Sequence, residues 1–494
     1  MRLDRLQNRR PAPARYAGQE PQWRLAKAQE DWGKAEFRAS ARVVLVNEDD
    51  MSELDRRTFL KSTTASAALA SPATITAARA RPSRTTGRNL SMSASGLSRA
   101  RLDRLHDVMA GYVDRGQVPG IVALISRRGE LHVVALGTLN IGDKSPVQHD
   151  TIFRIASMTK PITAVAAMIL VEECKLRLDE PIDRLLPELA NRKVLKRFDG
   201  PLDDTVLAKR PITVRDLLTF RMGFGIVVAP PDAYPVLKAA NDLHIGMGPP
   251  TPASMAAPDE WLQRLASLPL MHQPGKKWMY NTGSDVLGVL VARASGQPLE
   301  VFLRERIFDP LGMKDTGFSV PPEKIGRLAT SYATNLQTGA LGVYDPAANG
   351  QWSRPPAFPS GAGGLVSTAD DFLTFSQMML NKGKLGNVRI LSRPSVELMT
   401  TDQLTPEQKA TSGLTEDFFE SHGWGFGVSI ATRRTELAGT VGMYGWDGGL
   451  GTSWRADPVE NLTGILLTQC MWTSPRGPDV FLDFWASLYQ SIDD

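Results

Sequence analysis

Three short segments of this chain hold residue types that could do chemistry together. The first is Ser157-Met158-Thr159-Lys160, the only S-x-x-K in 494 residues. An apolar run from Ile162 to Val171 follows, so Ser157 is expected at the start of a buried helix. Free N–H groups and the positive end of the helix dipole favour a developing oxyanion there. Residues three apart share a helix face, which brings the Lys160 ammonium within reach of the Ser157 hydroxyl. A lysine buried at that place loses proton affinity and can help take the serine proton. A chain this long holds roughly one S-x-x-K by chance. Taken alone, the segment reads first as an N-cap serine with an ordinary first-turn lysine.

The second segment is Trp278-Met279-Tyr280-Asn281-Thr282-Gly283-Ser284. A tyrosine beside a lysine can be pushed toward phenolate, act as a general base, and return the proton to a leaving group. Alone, Tyr280 reads as a half-buried aromatic. The third segment is Tyr444-Gly445-Trp446-Asp447-Gly448-Gly449. Its glycines let backbone approach a ligand and could present an N–H to a carbonyl oxygen. Alone it reads equally as a glycine-rich turn.

Competing chemistries find less support. No G-x-S-x-G occurs, so the nucleophile elbow of an α/β-hydrolase is absent. The 2 cysteines form no C-x-x-C, the 6 histidines fall in no motif, and no metal site is expected. Asp457 and Glu460 read as a turn between strands. No cofactor is called for.

The elements that must position these segments come from both ends of the chain. Leu102, Leu105, Val108, Met109, Tyr112 and Val113 have helical spacing, which predicts an amphipathic helix over 99–115. Ile121–Ser126 and Leu131–Leu136 read as a hairpin joined through Arg127-Arg128-Gly129-Glu130. From 157 to about 354 the pattern is mainly helical, broken by loops. The largest, 224–258, contains two Pro-Pro pairs and is expected to be a lid or pocket wall. Strands return at Gly425–Thr432, Thr452–Asp457 and Leu462–Thr468, before a closing helix carrying Phe481, Phe484, Trp485, Leu488 and Tyr489. This order predicts an α/β (α+β) fold. One antiparallel sheet, built from 98–156 and 355–494, is flanked by helices, with a mostly helical domain inserted at 157–354.

In this order the three segments resemble the serine β-lactamase and penicillin-binding-protein superfamily, whose members carry S-x-x-K, then Y-x-N, then K-T-G or a variant. Phe153-Arg154-Ile155-Ala156, Ile212–Thr219, Pro310-Leu311-Gly312-Met313, Gly361-Ala362-Gly363-Gly364-Leu365 and Ser367–Asp370 look like the family's flanking segments. The likeness spans roughly residues 98–490 and is nearest to the class C β-lactamase-like group and its family VIII carboxylesterases. It implies a β-lactamase/transpeptidase-like fold with Ser157 as nucleophile and Lys160 and Tyr280 sharing proton transfers. It also implies an oxyanion hole made by the N–H groups of Ser157 and Gly449. Two departures stand out. Thr282 takes the place of the asparagine in Y-x-N, and Trp446-Asp447-Gly448 replaces K-T-G. Thr282 and Trp446 to Gly448 are accordingly the expected substrate-binding positions. With no cation there and an acid beside it, the resemblance implies hydrolysis of uncharged short-chain esters through an acyl-enzyme. A β-lactamase, a D-amino-acid peptidase or amidase, or a penicillin-binding-like protein without turnover is the alternative.

Composition rules out a disordered, collagenous or disulfide-stapled chain. Charged residues make up 22% and hydrophobics 42%, ordinary values for a globular chain. The net charge of +4 is unevenly divided: +2 over residues 1–50, +5 over 51–90 and −3 over the remainder. A nucleic-acid binder would keep its basic surplus in the folded part, so no nucleic-acid partner is expected. The longest clean apolar run is too short to cross a bilayer, so no stable membrane anchor is expected either. Asp55-Arg56-Arg57-Thr58-Phe59-Leu60-Lys61, an Ala/Ser/Thr stretch and Ala78-Arg79-Ala80 resemble a twin-arginine export signal over 51–80. Residues 1–50 then read as an extension ahead of Met51, residues 81–97 as a linker, and the destination as periplasmic or extracellular.

Overall fold

Leu102, Leu105, Met109 and Tyr112 form the buried face of helix α1 (Arg99–Asp114), as their spacing predicts. Strands β1 (Gly120–Arg127) and β2 (Glu130–Gly137) follow as an antiparallel hairpin with Arg127 opposite Glu130. Its two turn residues, Arg128 and Gly129, both have positive φ (49° and 85°), the twist that suits a two-residue hairpin loop. The structure is a computed structural model that describes residues 95–415 and 417–494. Of these, residues 95–228 and 232–494 lie in one compact unit. The readings of 1–50, 51–80 and 81–94 fall outside the described residues.

The middle of the chain is mainly helical. Helix α2 (Thr159–Glu172) is buried on every side from Thr159 to Leu170, as its apolar run from Ile162 to Val171 predicts, with Lys160 and Thr163 buried among the apolar side chains. Helix α3 (Thr282–Ser295) is buried from Thr282 to Val291 and stops at Gly296. That glycine takes φ 73°, and its N–H bonds the Ala292 carbonyl at 2.9 Å. Helix α4 (Ala369–Leu380) begins with Thr368 capping the Asp371 N–H. Two small ribbons interrupt the helices, Lys193–Leu195 with Thr205–Leu207 and Ser331–Thr334 with Leu341–Asp345. The 224–258 segment is not loop throughout, because Pro235–Asp242 is a helix that buries Val236, Leu237 and Ala240.

The chain then returns to the sheet with β3 (His422–Trp424), β4 (Ser429–Ala431), β5 (Tyr444–Gly448), β6 (Thr452–Asp457) and β7 (Leu462–Thr468). Helix α5 (Asp479–Gln490) closes it. The sheet has seven strands in the order β3-β4-β5-β6-β7-β1-β2, and every neighbouring pair is antiparallel. The pairing of β7 with β1 joins the early strands to the late ones, from Ile121 opposite Thr468 to Arg127 opposite Leu462. On one face Ile121, Ala123, Ile125, Leu462 and Leu466 pack against α1 and against Phe484 and Leu488 of α5. Trp485 lies where a side chain at Gly464 would be, so that strand position is open only to glycine. On the other face Trp454 packs on Phe372 and Phe375 of α4, with ring centroids 5.3 and 5.9 Å away.

Two expectations are corrected. Gly425–Thr432 is not one strand: the Gly425 N–H bonds the Val428 carbonyl at 2.9 Å, which makes a tight turn between β3 and β4. Tyr444–Gly448, for which a glycine-rich turn is an equal reading from sequence, is a full strand. Gly445 has no Cβ because the Trp454 carbonyl and Arg455 occupy that space on β6.

Candidate active site

Ser157 lies in a single 3-10 turn, Ala156–Met158, two residues ahead of the first residue of α2 rather than on the α-helix itself. Ala156 adopts φ 43°, a left-handed conformation that costs a non-glycine residue about 1 kcal/mol or more. The sheet holds this turn in place. Thr452 Oγ1 of β6 donates to the Ile155 carbonyl at 3.1 Å. Gly448 of β5 comes so close that a Cβ would overlap both the Ile155 oxygen and Thr452 Oγ1. Pro161 sits in the first turn of α2, where its missing N–H has no helical partner to lose.

The structure brings Ser157, Lys160 and Tyr280 together. Lys160 Nζ is 2.8 Å from Ser157 Oγ, donates to the Ala362 carbonyl at 2.6 Å, and lies 4.5 Å from the Tyr280 ring centroid. The lysine is fully buried. Burial pulls its ammonium well below the ordinary lysine range, and the nearby Asp285 charge opposes the shift. Tyr280 is reached through an extended segment that ends in Asn281, whose φ of 84° turns the chain into α3. Its hydroxyl accepts from Trp446 Nε1 at 2.6 Å. The expected drift toward phenolate is corrected. Burial pushes the Tyr280 hydroxyl above its usual range, and the neighbouring Ser157 and Trp446 only partly offset this.

Phe220, Trp278 and Trp446 surround Tyr280, with ring centroids 5.5, 5.6 and 5.5 Å away. Trp424 completes the group, edge-on to Trp446 at 4.7 Å. Among the described residues neither the Ser157 N–H nor the Gly449 N–H donates to a backbone carbonyl. No atom lies within 4 Å of where a Gly449 Cβ would stand, so the space beside it is open. Among the described residues, no cluster of three or more His, Cys, Asp or Glu is placed to hold a metal ion. No single described helix is long and apolar enough to cross a membrane.

The four expected substrate-binding positions separate. Trp446 joins the cluster through Tyr280. Asp447 does not stand as a free acid, because Arg455 grips it through two nitrogens at 2.6 and 2.8 Å and Ser453 Oγ donates at 2.6 Å. Its charge is therefore paired, which weakens the expected repulsion of an anionic substrate. Gly448 is occupied in backing the nucleophile turn. Thr282 is buried in the first turn of α3, and its Oγ1 has no hydrogen-bond partner among the described residues.

Sequence reasoning missed the partners of Lys160. Asp285, one turn into α3, is buried and accepts from Ser360 Oγ at 2.6 Å and from the Ala362 N–H at 3.1 Å. The Gly361–Leu365 run threads between α2 and α3: Thr163 Oγ1 donates to the Gly361 carbonyl at 2.8 Å, and a Cβ on Gly361 would overlap the Ser284 carbonyl. That run of glycines was the one available signal of close backbone approach. The long loop reaches the same place, since a Cβ on Gly363 would lie 3.0 Å from Pro250 and Tyr344 donates to the Pro250 carbonyl at 2.7 Å.

The sequence model of the family described as Beta-lactamase matches residues 105–480. The chain belongs to the β-lactamase family. It is 41% identical over 384 residues to Protein Rv1367c of Mycobacterium tuberculosis, covering 76% of this chain and 90% of that relative. It is 33% identical over 411 residues to the esterase EstB of Burkholderia gladioli, covering 78% and 94%. The solved structure of EstCE1, a hydrolase with promiscuous acyltransferase activity, aligns with TM-score 0.65 at 26% identity, over 79% of this chain and 99% of that one. The mixed fold, with a large antiparallel sheet and helices, is the fold of these β-lactamase-like neighbours. The wider group comprises hydrolases and acyltransferases of small acyl substrates.

Proposed function

We propose that this protein is a serine hydrolase that cleaves uncharged, short-chain carboxylic esters through an acyl-enzyme on Ser157. The observation that carries the reading is the cluster of a buried Lys160 with the half-buried Ser157 and Tyr280, and an indole, Trp446, bonded to it where lactamases hold a cation. Lys160, its proton affinity lowered by burial, takes the Ser157 proton as Oγ attacks the ester carbonyl. The free N–H groups of Ser157 and Gly449 hold the oxyanion. Tyr280, kept as a phenol by burial, gives its proton to the departing alkoxide and recovers one from Lys160. Water then attacks the acyl-enzyme by the reverse proton path. An alcohol in place of water would make the same intermediate an acyl donor, the reading favoured by the acyltransferase activity named for EstCE1.

The test is p-nitrophenyl esters of graded chain length beside nitrocefin, with and without an added alcohol. Intact mass after fluorophosphonate treatment is measured on wild type and Ser157→Ala. Ester turnover with one adduct, both lost in the variant, is expected. A nitrocefin preference, or an adduct that survives the substitution, would overturn the assignment. We further propose export by the twin-arginine route, on the Arg56-Arg57 segment. Replacing both arginines by lysine should leave the protein in the cytoplasm, and unchanged fractionation would refute it.

A further inference from the structure

Lys160 is held from behind by a chain of hydrogen bonds that ends on a buried carboxylate. Its Nζ donates to the Ala362 carbonyl at 2.6 Å. The N–H of that same peptide, on Gly363, donates to Ser360 Oγ at 3.1 Å, and the Ala362 N–H reaches the same oxygen at 3.3 Å. Ser360 Oγ therefore accepts two N–H groups, so its own proton points to its remaining neighbour, Asp285 Oδ1, at 2.6 Å. Asp285 Oδ1 also takes the Ala362 N–H at 3.1 Å, so that oxygen is an acceptor only. Burial raises the carboxyl above its usual range, and these two hydrogen bonds together with Lys160 favour its ionised form. Asp285 and Lys160 are both buried and Ser360 nearly so, and in such a low-dielectric interior linked hydrogen bonds polarise one another.

Resting on the esterase reading above, we infer that Asp285, acting through Ser360, is a positioning residue for Lys160. It fixes the Ala362–Gly363 peptide so that its carbonyl aims at Nζ, and it supplies negative potential along the hydrogen-bonded chain. The charge of Asp285 holds the lysine's proton affinity up against the burial that lowers it. The other groups facing Lys160 carry little charge. Ser157 comes from its own turn, the neutral Tyr280 from the segment before α3, and Ala362 from the glycine run. From β5, Asp447 is paired with Arg455.

The test uses Asp285→Asn and Ser360→Ala in the full chain, with Ser360→Thr as the conservative control. Melting temperature, kcat and KM against pH, and the rate of fluorophosphonate labelling at Ser157 are read for each. Asp285→Asn should lower kcat about ten- to a hundredfold with KM within about threefold, the pattern of a disturbed proton transfer. Its acidic pH limb should move to lower pH, because removing an anion makes the lysine easier to deprotonate. Ser360→Ala should lose kcat and Ser360→Thr should regain it. If Asp285→Asn does not fold, the Ser360 pair decides: equal loss in Ala and Thr, or none in either, overturns the inference. A folded Asp285→Asn with an unmoved acidic limb also overturns it, leaving a merely structural carboxylate. Labelling separates the two readings. A wild type that takes no label at Ser157 brings down the nucleophile assignment and this inference with it. A labelled wild type that cleaves no ester fails only the substrate class, and the pH dependence of labelling then tests Asp285 by the same shift.

Discussion

At the scale of single residues, burial makes the chemistry available. It lowers the lysine and raises the tyrosine, so over a broad range of pH the cluster holds an amine and a phenol together. Activity should rise as pH climbs through the depressed lysine ionisation and persist until the phenol deprotonates at strongly alkaline pH. A kcat/KM profile whose acidic limb sat in the ordinary lysine range would contradict this. Lys160→Ala and Tyr280→Phe should each cost about 10²–10⁴ in kcat, as positioned acid–base groups do. Their combined loss should fall far short of the product, because both serve one proton path. A double-mutant cycle measures this directly, and full multiplicativity would place them in separate steps. Trp446→Phe keeps the aromatic wall but removes the N–H donated to Tyr280. A hydrogen bond to a group that gains charge is worth about 1.5–3 kcal/mol, so kcat should fall about ten- to a hundredfold. Unchanged kcat in a folded Trp446→Phe would mean that the indole serves only as wall.

At the scale of elements, the nucleophile turn is placed by strands distant in sequence. β5 and β6 support it from behind, and two adjacent glycines there have opposite duties. Gly448→Ala would force a methyl into the Ile155 carbonyl and Thr452 Oγ1. Such overpacking costs about 1–3 kcal/mol, and the recoil of β5 should lower kcat as well. Gly449→Ala has open space on that side and no positive φ to strain, so its melting temperature should stay near wild type. Thermal melts of the two variants, read beside ester turnover, decide the matter. Equal destabilisation would mean that the strand does not press on the turn.

At the scale of the whole molecule, the two ends of the chain make one half of the structure. The β7–β1 pairing, the Tyr112 hydroxyl donating to Asp483 at 2.6 Å, and Arg127 bonding Asp494 at 2.8 Å all tie the first described elements to the last. Phe481, Phe484, Trp485, Leu488 and Tyr489 of α5 cover the sheet face that α1 shares. Each such side chain contributes about 1.5–3 kcal/mol by burial. Together they approach the whole stability of a domain, about 5–15 kcal/mol. A chain ending at Pro478 should therefore show no cooperative thermal transition by circular dichroism. A folded, active truncation would show that the two ends are held by less than this.

What the sequence determined by itself was local or periodic. Helix α1, the hairpin, β6, β7 and α5 follow from apolar spacing over stretches of six to sixteen residues, where neighbours in sequence are neighbours in space. Ser157, Lys160, Tyr280 and Trp446 were legible because the first two share a turn and the others stand in short segments of recognisable order. β5 was not legible, since its glycines signal a turn unless one knows that β6 and the nucleophile turn press against them. The state of Tyr280, the pairing of Asp447 with Arg455 and the hold of Asp285 on Lys160 were decided only by tertiary structure. Asp285 and Ser360 lie 75 positions apart and Lys160 and Ala362 lie 202 apart. No period or motif spans such distances. Burial and hydrogen-bond partnership, which set proton affinity, are properties of the packed chain and not of any segment within it.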